Sequence, residues 1–504
     1  MIMVLETKSE KIMKVANSRG FFYPSAEIYC AKAGFWTYGH LGTRVKQKWE
    51  NLWRKTFLSL NPYYFEIDDC VIMPEDVFKA SGHLEHFNDP LTECKKCHSR
   101  YRADELIEKS LKIEAQGLSE DALTKLIQDN KLLCPKCSAE LTEVKMFNMM
   151  FKLKVGATGQ DVMYLRPESA QSPYLAFKRE HEALRRKMPM GLAVIGKAFR
   201  NEISPRQGFF RLREFTQAEL QIFFDPDKID ECDNWDEVKD YELLLYLHND
   251  KKINKVKCEE ANKELKLPRF YLYHAAKIQQ FYLDKLRIPK ELFRLRELSE
   301  EERAFYNKIH FDIELNLESL GGFKEVAGLH YRGDHDIGGH QKGSKQKLEV
   351  VDENKRYIPH VLELSFGVDR NVWALMDVFY AEEKERTLFK FPPNVSPIDV
   401  AVFPLVKKEE LPTIAKKLFT ELNYEFKAFY DESGSIGRRY RRQDEIGTNY
   451  GITVDFDTMD NNKVTLRDRD SMKQVLVEVD KCKNILRELI KGNLKFEDAG
   501  ESLK

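Results

Sequence analysis

The sequence predicts an α+β protein of several domains: a sheet-based core carrying a cysteine-stapled module and a charged helical insertion, followed by a smaller α/β domain. Three observations carry that prediction. Residues 196–224 read as strand, polar loop, strand; two CxxC turns flank a polar helical stretch; and three prolines between 392 and 399 stop the chain before strands alternate with amphipathic helices. A chain of 504 residues, 42% hydrophobic and 32% charged, can bury large cores.

Composition bounds the function only loosely. Lys and Arg total 81 against 82 Asp and Glu, so a nucleic-acid partner would have to be met by locally clustered charge. No stretch approaches the roughly 20 apolar residues of a membrane span, and the start MIMVLETKSE turns acidic after five residues. The expectation is a cytoplasmic protein without membrane contact.

Nine cysteines, an odd number in a long chain, argue against a secreted disulfide framework. Cys94 with Cys97 and Cys134 with Cys137 form two turns, each able to aim two thiolates at one point, together a tetrahedral sulfur set for a structural Zn²⁺ with no position left for a catalytic water. Cys30, Cys70, Cys232, Cys258 and Cys482 read as small buried hydrophobes. A helical pattern from Leu106 to Asn130 lies between the turns, which makes 86–145 an inserted module.

Three local patterns mislead. Gly191 to Lys197 fits a phosphate-loop spacing, but Ala198 stands where Mg²⁺ needs Ser or Thr, and the four intervening apolar residues read as a strand. His40–Thr43 and Lys342–Gln346 each fail the class I synthetase signatures at their last residue. His330, His335 and His340 recur every five residues, a period of neither one helix face nor one strand face, so a loop or strand edge lined with histidine is expected there in place of a metal site.

The chemistry concentrates in 196–224. On the second strand Arg211, Arg213, Phe215, Gln217, Glu219 and Gln221 share one face, and Leu212, Thr216, Ala218, Leu220 and Ile222 the other; on the first strand Arg200 and Glu202 share a face. Arginines, an aromatic plate and carboxylates on one surface suit a purine, its phosphates and a small cationic molecule. The segment 359–375 adds Glu363 and Ser365 on one face, Gly367 where backbone can pass close to a ligand, and Arg370 opening a helix. Residues 225–302 read as a Lys/Glu-rich, exposed helical insertion. After PPNVSPID at 392–399, a separate α/β domain begins, and its Arg438-Arg-Tyr-Arg-Arg442 run offers phosphate contact with aromatic stacking.

These residues carry a family resemblance. FRNE (199–202) with RLREF (211–215) resembles motif 2 of class II aminoacyl-tRNA synthetases, LSFGVDR (364–370) resembles motif 3, and the segment ending Ile72-Met-Pro74 resembles motif 1. Longer blocks, among them FFYPSAEIYCAKAGFWTYGHLG, ASGHLEHF, YRADEL, YLRPESAQ, FRNEISPRQG, REFTQAE, SGSIGRRYRRQDEIG and TLRDRDS, are similar in order to glycyl-tRNA synthetases of the archaeal and eukaryotic type, over about residues 20–480. Ser169 replaces the usual Thr of PETAQ, and Leu364 and Asp369 replace residues often Pro and Gly.

The resemblance implies a class II antiparallel-sheet catalytic domain and a C-terminal α/β anticodon-binding domain. It divides the chain into 1–85 with motif 1, the zinc module 86–145, the catalytic core 146–391 containing the 225–302 insertion, the anticodon-binding domain 392–494 and a tail 495–504. It implies activation of glycine with ATP and Mg²⁺ and transfer to tRNA(Gly), by a homodimer. Arg200 is expected to meet the α-phosphate. ATP would be held by Arg200, Asn201, Glu202, Phe210, Arg211, Phe215, Glu325, Val326, Gly367 and Arg370, with Glu325 also at Mg²⁺. Glycine would be held by Glu168, Phe215, Gln217, Glu219, Glu363 and Ser365, with Arg102 closing the pocket. Glycine has no smaller competitor, so no editing domain is expected.

Overall fold

The computed structural model describes residues 6–503 apart from 204, 206, 207, 251, 301, 304–306, 353, 354 and 409. Its centre is a nine-stranded sheet in the order Asn254–Lys257, Glu242–Tyr246, Phe293–Glu297, Ile309–Leu317, Gly322–Gly333, His360–Gly367, Glu214–Phe224, Met190–Phe199, Tyr64–Glu66. Every neighbouring pair is antiparallel except Glu242–Tyr246 beside Phe293–Glu297 and Met190–Phe199 beside Tyr64–Glu66.

The expected hairpin is present, with Met190 opposite Phe223 and Phe199 opposite Glu214. GLAVIGKA is therefore strand and not a phosphate loop, and at Gly196 a Cβ would fall 2.3 Å from the Arg166 guanidinium, whose Nε donates to the Lys197 carbonyl. Alternation in Glu214–Phe224 sends Ala218, Leu220 and Ile222 to the back of the sheet. There Trp49, Trp53 and Phe57 of the helix His40–Phe57 pack with Phe281 and Phe366, the Phe57 and Phe366 rings 5.0 Å apart. The opposite face of the same strand is left for chemistry.

The 225–302 segment is not an exposed helical insertion. It supplies three strands of the central sheet, and Trp235, Leu243, Leu245, Tyr271, Phe281 and Leu295 are buried in the main core. Its lysines and glutamates lie toward the surface, some of them in pairs such as Lys277–Glu237 and Lys263–Glu259, so they masked short apolar strands and the helix Arg269–Gln280.

The cysteine module is a three-stranded sheet, Arg100–Arg102, Asn88–Glu93 and Lys145–Asn148, with two helices, Ala103–Leu111 and Glu120–Asp129, where the sequence suggested one helical stretch. It buries a small core of its own around Ile107, Leu123 and Ile127. Of the remaining cysteines, Cys258 and Cys482 are buried and Cys232 is half-buried, but Cys30 and Cys70 are exposed, contrary to expectation.

The C-terminal domain is a six-stranded sheet, Ala428–Tyr430, Val400–Pro404, Tyr450–Val454, Lys463–Asp468, Gln474–Glu478 and Glu501–Ser502, the first three strands parallel. The last strand and buried Ala499 show that 495–503 is folded into this domain and is no free tail. The proline-rich connection is likewise no loose linker: Val395, Ser396 and Ile398 are buried, Lys48 pairs with Asp399 at 2.5 Å, and Ser396 Oγ donates to the carbonyls of Ile398 and Gly447.

Candidate active site

The front face of the sheet, between the strands Glu214–Phe224, His360–Gly367 and Gly322–Gly333, forms the floor of a cavity of about 230 Å³. Residues 168, 200, 202, 210, 211, 215, 217, 219, 325, 363, 365, 367 and 370, predicted from sequence, all line it. Three predicted residues do not. Val326 is wholly buried beneath the sheet, and its carbonyl accepts from Asn371 Nδ2; Asn201 uses its backbone N–H on Met149. Arg102 pairs with Asp104 at 2.6 Å and lies at an adjoining recess beside Asp89, Arg200, Glu202, Arg211 and Arg370, away from the acidic end where it was expected. Residues 204, 206 and 207 of the FRNEISPRQG block lie outside the described residues.

One end of the cavity is cationic and aromatic. Arg200 donates from Nε to the Pro167 carbonyl, and its guanidinium sits over two rings, 5.4 Å from Phe87 and 5.3 Å from Phe215. Arg211 is shared between Glu202 and Glu105, each at 2.9 Å. Arg370 lies 5.3 Å over Phe210 and 3.0 Å from Glu325. Each arginine is thus pre-aimed by a ring or a carboxylate, an arrangement suited to a polyphosphate carried on a flat base. Arg213, assigned to this face by alternation, instead turns away to the carbonyls of Ala33 and Glu202, because the strand begins only at Glu214.

The other end holds three carboxylates of unlike character, Glu219 and Glu363 buried and Glu168 half-buried. Glu363 is saturated: His330 Nδ1 lies at 2.5 Å, Gln221 Nε2 donates at 2.7 Å and Arg332 at 3.1 Å. Burial alone would raise its pKa, but Arg332 and His330 hold it down at about 2. Glu168 is also held below the usual carboxylate range: burial opposes ionisation, and His83 at 3.5 Å with Arg332 overrides it. Glu219 accepts only two hydroxyls, from Ser169 at 2.8 Å and Ser365 at 2.7 Å. Burial, together with the neighbouring Glu363 and Glu168, pushes its carboxyl up to about 7. Among the described residues no cation pairs with Glu219, so this pocket has one carboxylate waiting for an external positive charge.

Several lining residues escaped the sequence reading: Thr216, Asn307, His310, Ala327, His330, Arg332 and Asp369. His330 and Arg332 share a strand face by the same two-residue period that revealed Phe215 and Gln217, and that was the available signal. His330 lies in an internal strand, between Ile309–Leu317 and His360–Gly367, and not at an edge or in a loop, while His335 and His340 sit on the following helix His335–Ser344. Asp369, the departure from the family pattern, is buried and accepts from Tyr38 Oη at 2.6 Å and the Thr216 N–H at 2.5 Å, tying the start of the motif 3 helix to the hairpin.

Two sites outside the cavity were also predicted. The four Sγ atoms of Cys94, Cys97, Cys134 and Cys137 all lie within 4.8 Å of one another, with 3.4 Å between Cys94 and Cys137 and 3.6 Å between Cys97 and Cys134. Tetrahedral thiolates about 2.3 Å from zinc stand roughly 3.8 Å apart, so the set fits that ion. The arginine run fares differently. Arg439 is buried, donating to the Pro404 and Gly434 carbonyls; Arg441 pairs with Glu385 and Arg442 with Asp431; Tyr440 bonds Thr453. Arg438 is exposed without a partner among the described residues, so the run is braced at Arg439, Arg441 and Arg442 by groups of its own chain and leaves Arg438 as its unpaired cation.

Residues 151–379 match the tRNA synthetase class II core domain (G, H, P, S and T), and residues 399–489 match the anticodon binding domain. The chain is 37% identical to the glycine–tRNA ligase of Thermococcus kodakarensis, over 96% of this chain and 98% of that protein. It is 38% identical to the glycine–tRNA ligases of Pyrococcus furiosus (96% and 99%) and Mesoplasma florum (95% and 99%). Among solved structures, the prolyl-tRNA synthetase of Cryptosporidium parvum complexed with L-proline and AMP aligns with a TM-score of 0.58 over 96% of this chain and 75% of that one, a likeness of fold at 13% identity.

Proposed function

The chain belongs to the glycine–tRNA ligases, class II synthetases of the archaeal type, and from that premise we propose how its cavity divides the work. The observation that carries the proposal is Glu219, a buried carboxylate held by two serines and matched by no cation among the described residues. The α-ammonium of glycine supplies that charge. Glu168, Glu363, Gln217, Phe215 and Ser365 wall the small space around it, and Arg332 keeps Glu363 ionised without consuming Glu219. A substrate Cβ would have to displace this wall, while the absence of a side chain on glycine needs no editing.

ATP lies at the arginine end, its adenine between Phe215 and Arg370 and near Glu202, its phosphates among Arg200, Arg211 and Arg370. Glu325 is the hard oxygen donor that would hold Mg²⁺ with the phosphates, where the ion offsets negative charge. A glycine carboxylate oxygen attacks the α-phosphorus, the bond to the bridging oxygen breaks, and pyrophosphate leaves. Charge grows on the α-phosphate oxygens in this step, and Arg200, already fixed by the Pro167 carbonyl and two rings, meets it without reorganising. A ribose hydroxyl at the 3′ end of tRNA(Gly) then attacks the glycyl carbonyl, and AMP departs. No side chain need form a bond to substrate; orientation and charge suffice.

The C-terminal domain receives the anticodon, Cys94, Cys97, Cys134 and Cys137 hold a structural Zn²⁺ that staples their module, and two copies associate through the region of Ile72–Pro74. Exposed Ile72 and the edge strand Tyr64–Glu66 with exposed Phe65 support that last reading. Calorimetric titration of glycine into protein holding a non-hydrolysable ATP analogue tests the central assignment. Glu219→Gln should weaken glycine by about 10-fold to 100-fold, the worth of one charge-assisted contact, and leave the analogue's affinity unchanged. Equal glycine affinity in both proteins would overturn it.

A further inference from the structure

Where the cavity is floored by the strands Ile309–Leu317 and Gly322–Gly333, two histidines from different strands meet. His310 and His330 stand directly opposite each other on the strands Ile309–Leu317 and Gly322–Gly333, their ring centroids 4.0 Å apart, and Asp312 lies 3.0 Å from His310 Nε2. One ligand atom from each of His310, Asp312 and His330 falls within 4.8 Å of the others. We propose that these three residues bind a divalent ion of the zinc class, with one coordination position open to the cavity.

The surroundings are those of a metal site. A metal-bound imidazole characteristically donates its other N–H to a carboxylate or amide, which fixes the tautomer. His330 Nδ1 lies 2.5 Å from Glu363 Oε1, which leaves Nε2 as the ligand. His310 Nδ1 lies 3.2 Å from the amide of Asn307, a residue more than nine-tenths buried whose Oδ1 has no partner among the described residues. Turning that amide about its axis, a choice that heavy-atom positions leave open, lets His310 Nδ1–H donate to Oδ1, removes the unpaired atom and frees His310 Nε2 as the second ligand. The ring is seated by its neighbour: Gly328, opposite Asp312, lacks the Cβ that would lie 2.3 Å from His330 Nε2, so the imidazole can lie flat along the strand toward Asp312. Two imidazoles and one carboxylate with a vacant position suit Zn²⁺ and related divalent ions, whose bonds of about 2.0–2.2 Å require the ligand atoms to draw in to roughly 3.5 Å. All three side chains are half-buried and His310 and His330 line the cavity, so the fourth ligand is a water reached from it.

The site does not depend on the glycine assignment, and its test reads metal and not activity. Full-length protein is equilibrated with Zn²⁺ alone, freed of unbound ion by gel filtration and assayed for zinc per chain. Wild type should retain one equivalent more than His310→Ala, His330→Ala or the near-isosteric Asp312→Asn, and that difference should persist in a Cys94→Ser background. Circular dichroism identical to wild type for Asp312→Asn excludes misfolding as the cause. Zinc content unchanged across all three variants would overturn the proposal, as would a loss that appears only together with loss of the cysteine-bound ion.

Discussion

The molecule contains two sets of arginines beside aromatic rings, and they do opposite things. Around the cavity, Arg200, Arg211 and Arg370 are braced by a carbonyl, carboxylates and aromatic rings, yet all three still line the open space. On the helix Ile436–Ile446, Arg439, Arg441 and Arg442 spend their donors on carbonyls and carboxylates of their own chain. Composition is equal; backbone period is what separates them. A strand with one buried face sends alternate residues to a common surface, whereas helical spacing distributes five consecutive residues around an axis and carries Arg439 inward with Gln443 and Ile446.

That contrast can be broken at four points. The largest effect falls on Arg200→Ala, which removes a fixed cation from the growing phosphate charge: glycine-dependent pyrophosphate exchange should drop about 10²–10³-fold with the fold intact, measured by turnover and circular dichroism. Arg439→Ala should leave exchange at the wild-type rate but destabilise the C-terminal domain by about 1.5–3 kcal/mol, seen in denaturant unfolding, because buried carbonyls lose a charged donor. Next comes pH. Glu219 titrates at about 7 and only its ionised form attracts an ammonium, so KM for glycine should rise by up to about tenfold per pH unit as pH falls below 7, while KM for ATP stays level. Arg438→Ala is the smallest: it should reduce the salt dependence of tRNA binding by at most about one unit of slope, against no change for Arg441→Ala, which is already neutralised by Glu385.

What the sequence disclosed follows the same line. The hairpin, its chemical face from Phe215 to Glu219, the paired cysteine turns and the strand–helix alternation after 399 were legible because each has a short period or fixed spacing. The extension of that face to Arg213 failed where the strand gives way to loop. The core role of 225–302 was hidden because its strands, such as Glu242–Tyr246 and Phe293–Glu297, are five residues long and embedded among lysines and glutamates that lie toward the surface. The meeting of His310 with His330, and of Arg332 with Glu363, depends on which strands become neighbours, a long-range fact that no local pattern holds. Asp369 shows the same limit: the sequence marks it only as a departure from the family pattern, and in the structure it ties Tyr38 to Thr216.

The most direct test of glycine activation in this cavity is pyrophosphate exchange by the wild-type protein with each amino acid supplied in turn. Exchange with glycine alone is the predicted result, since only a substrate without Cβ fits beside Glu219; equal or faster exchange with alanine or serine would contradict the assignment of that pocket.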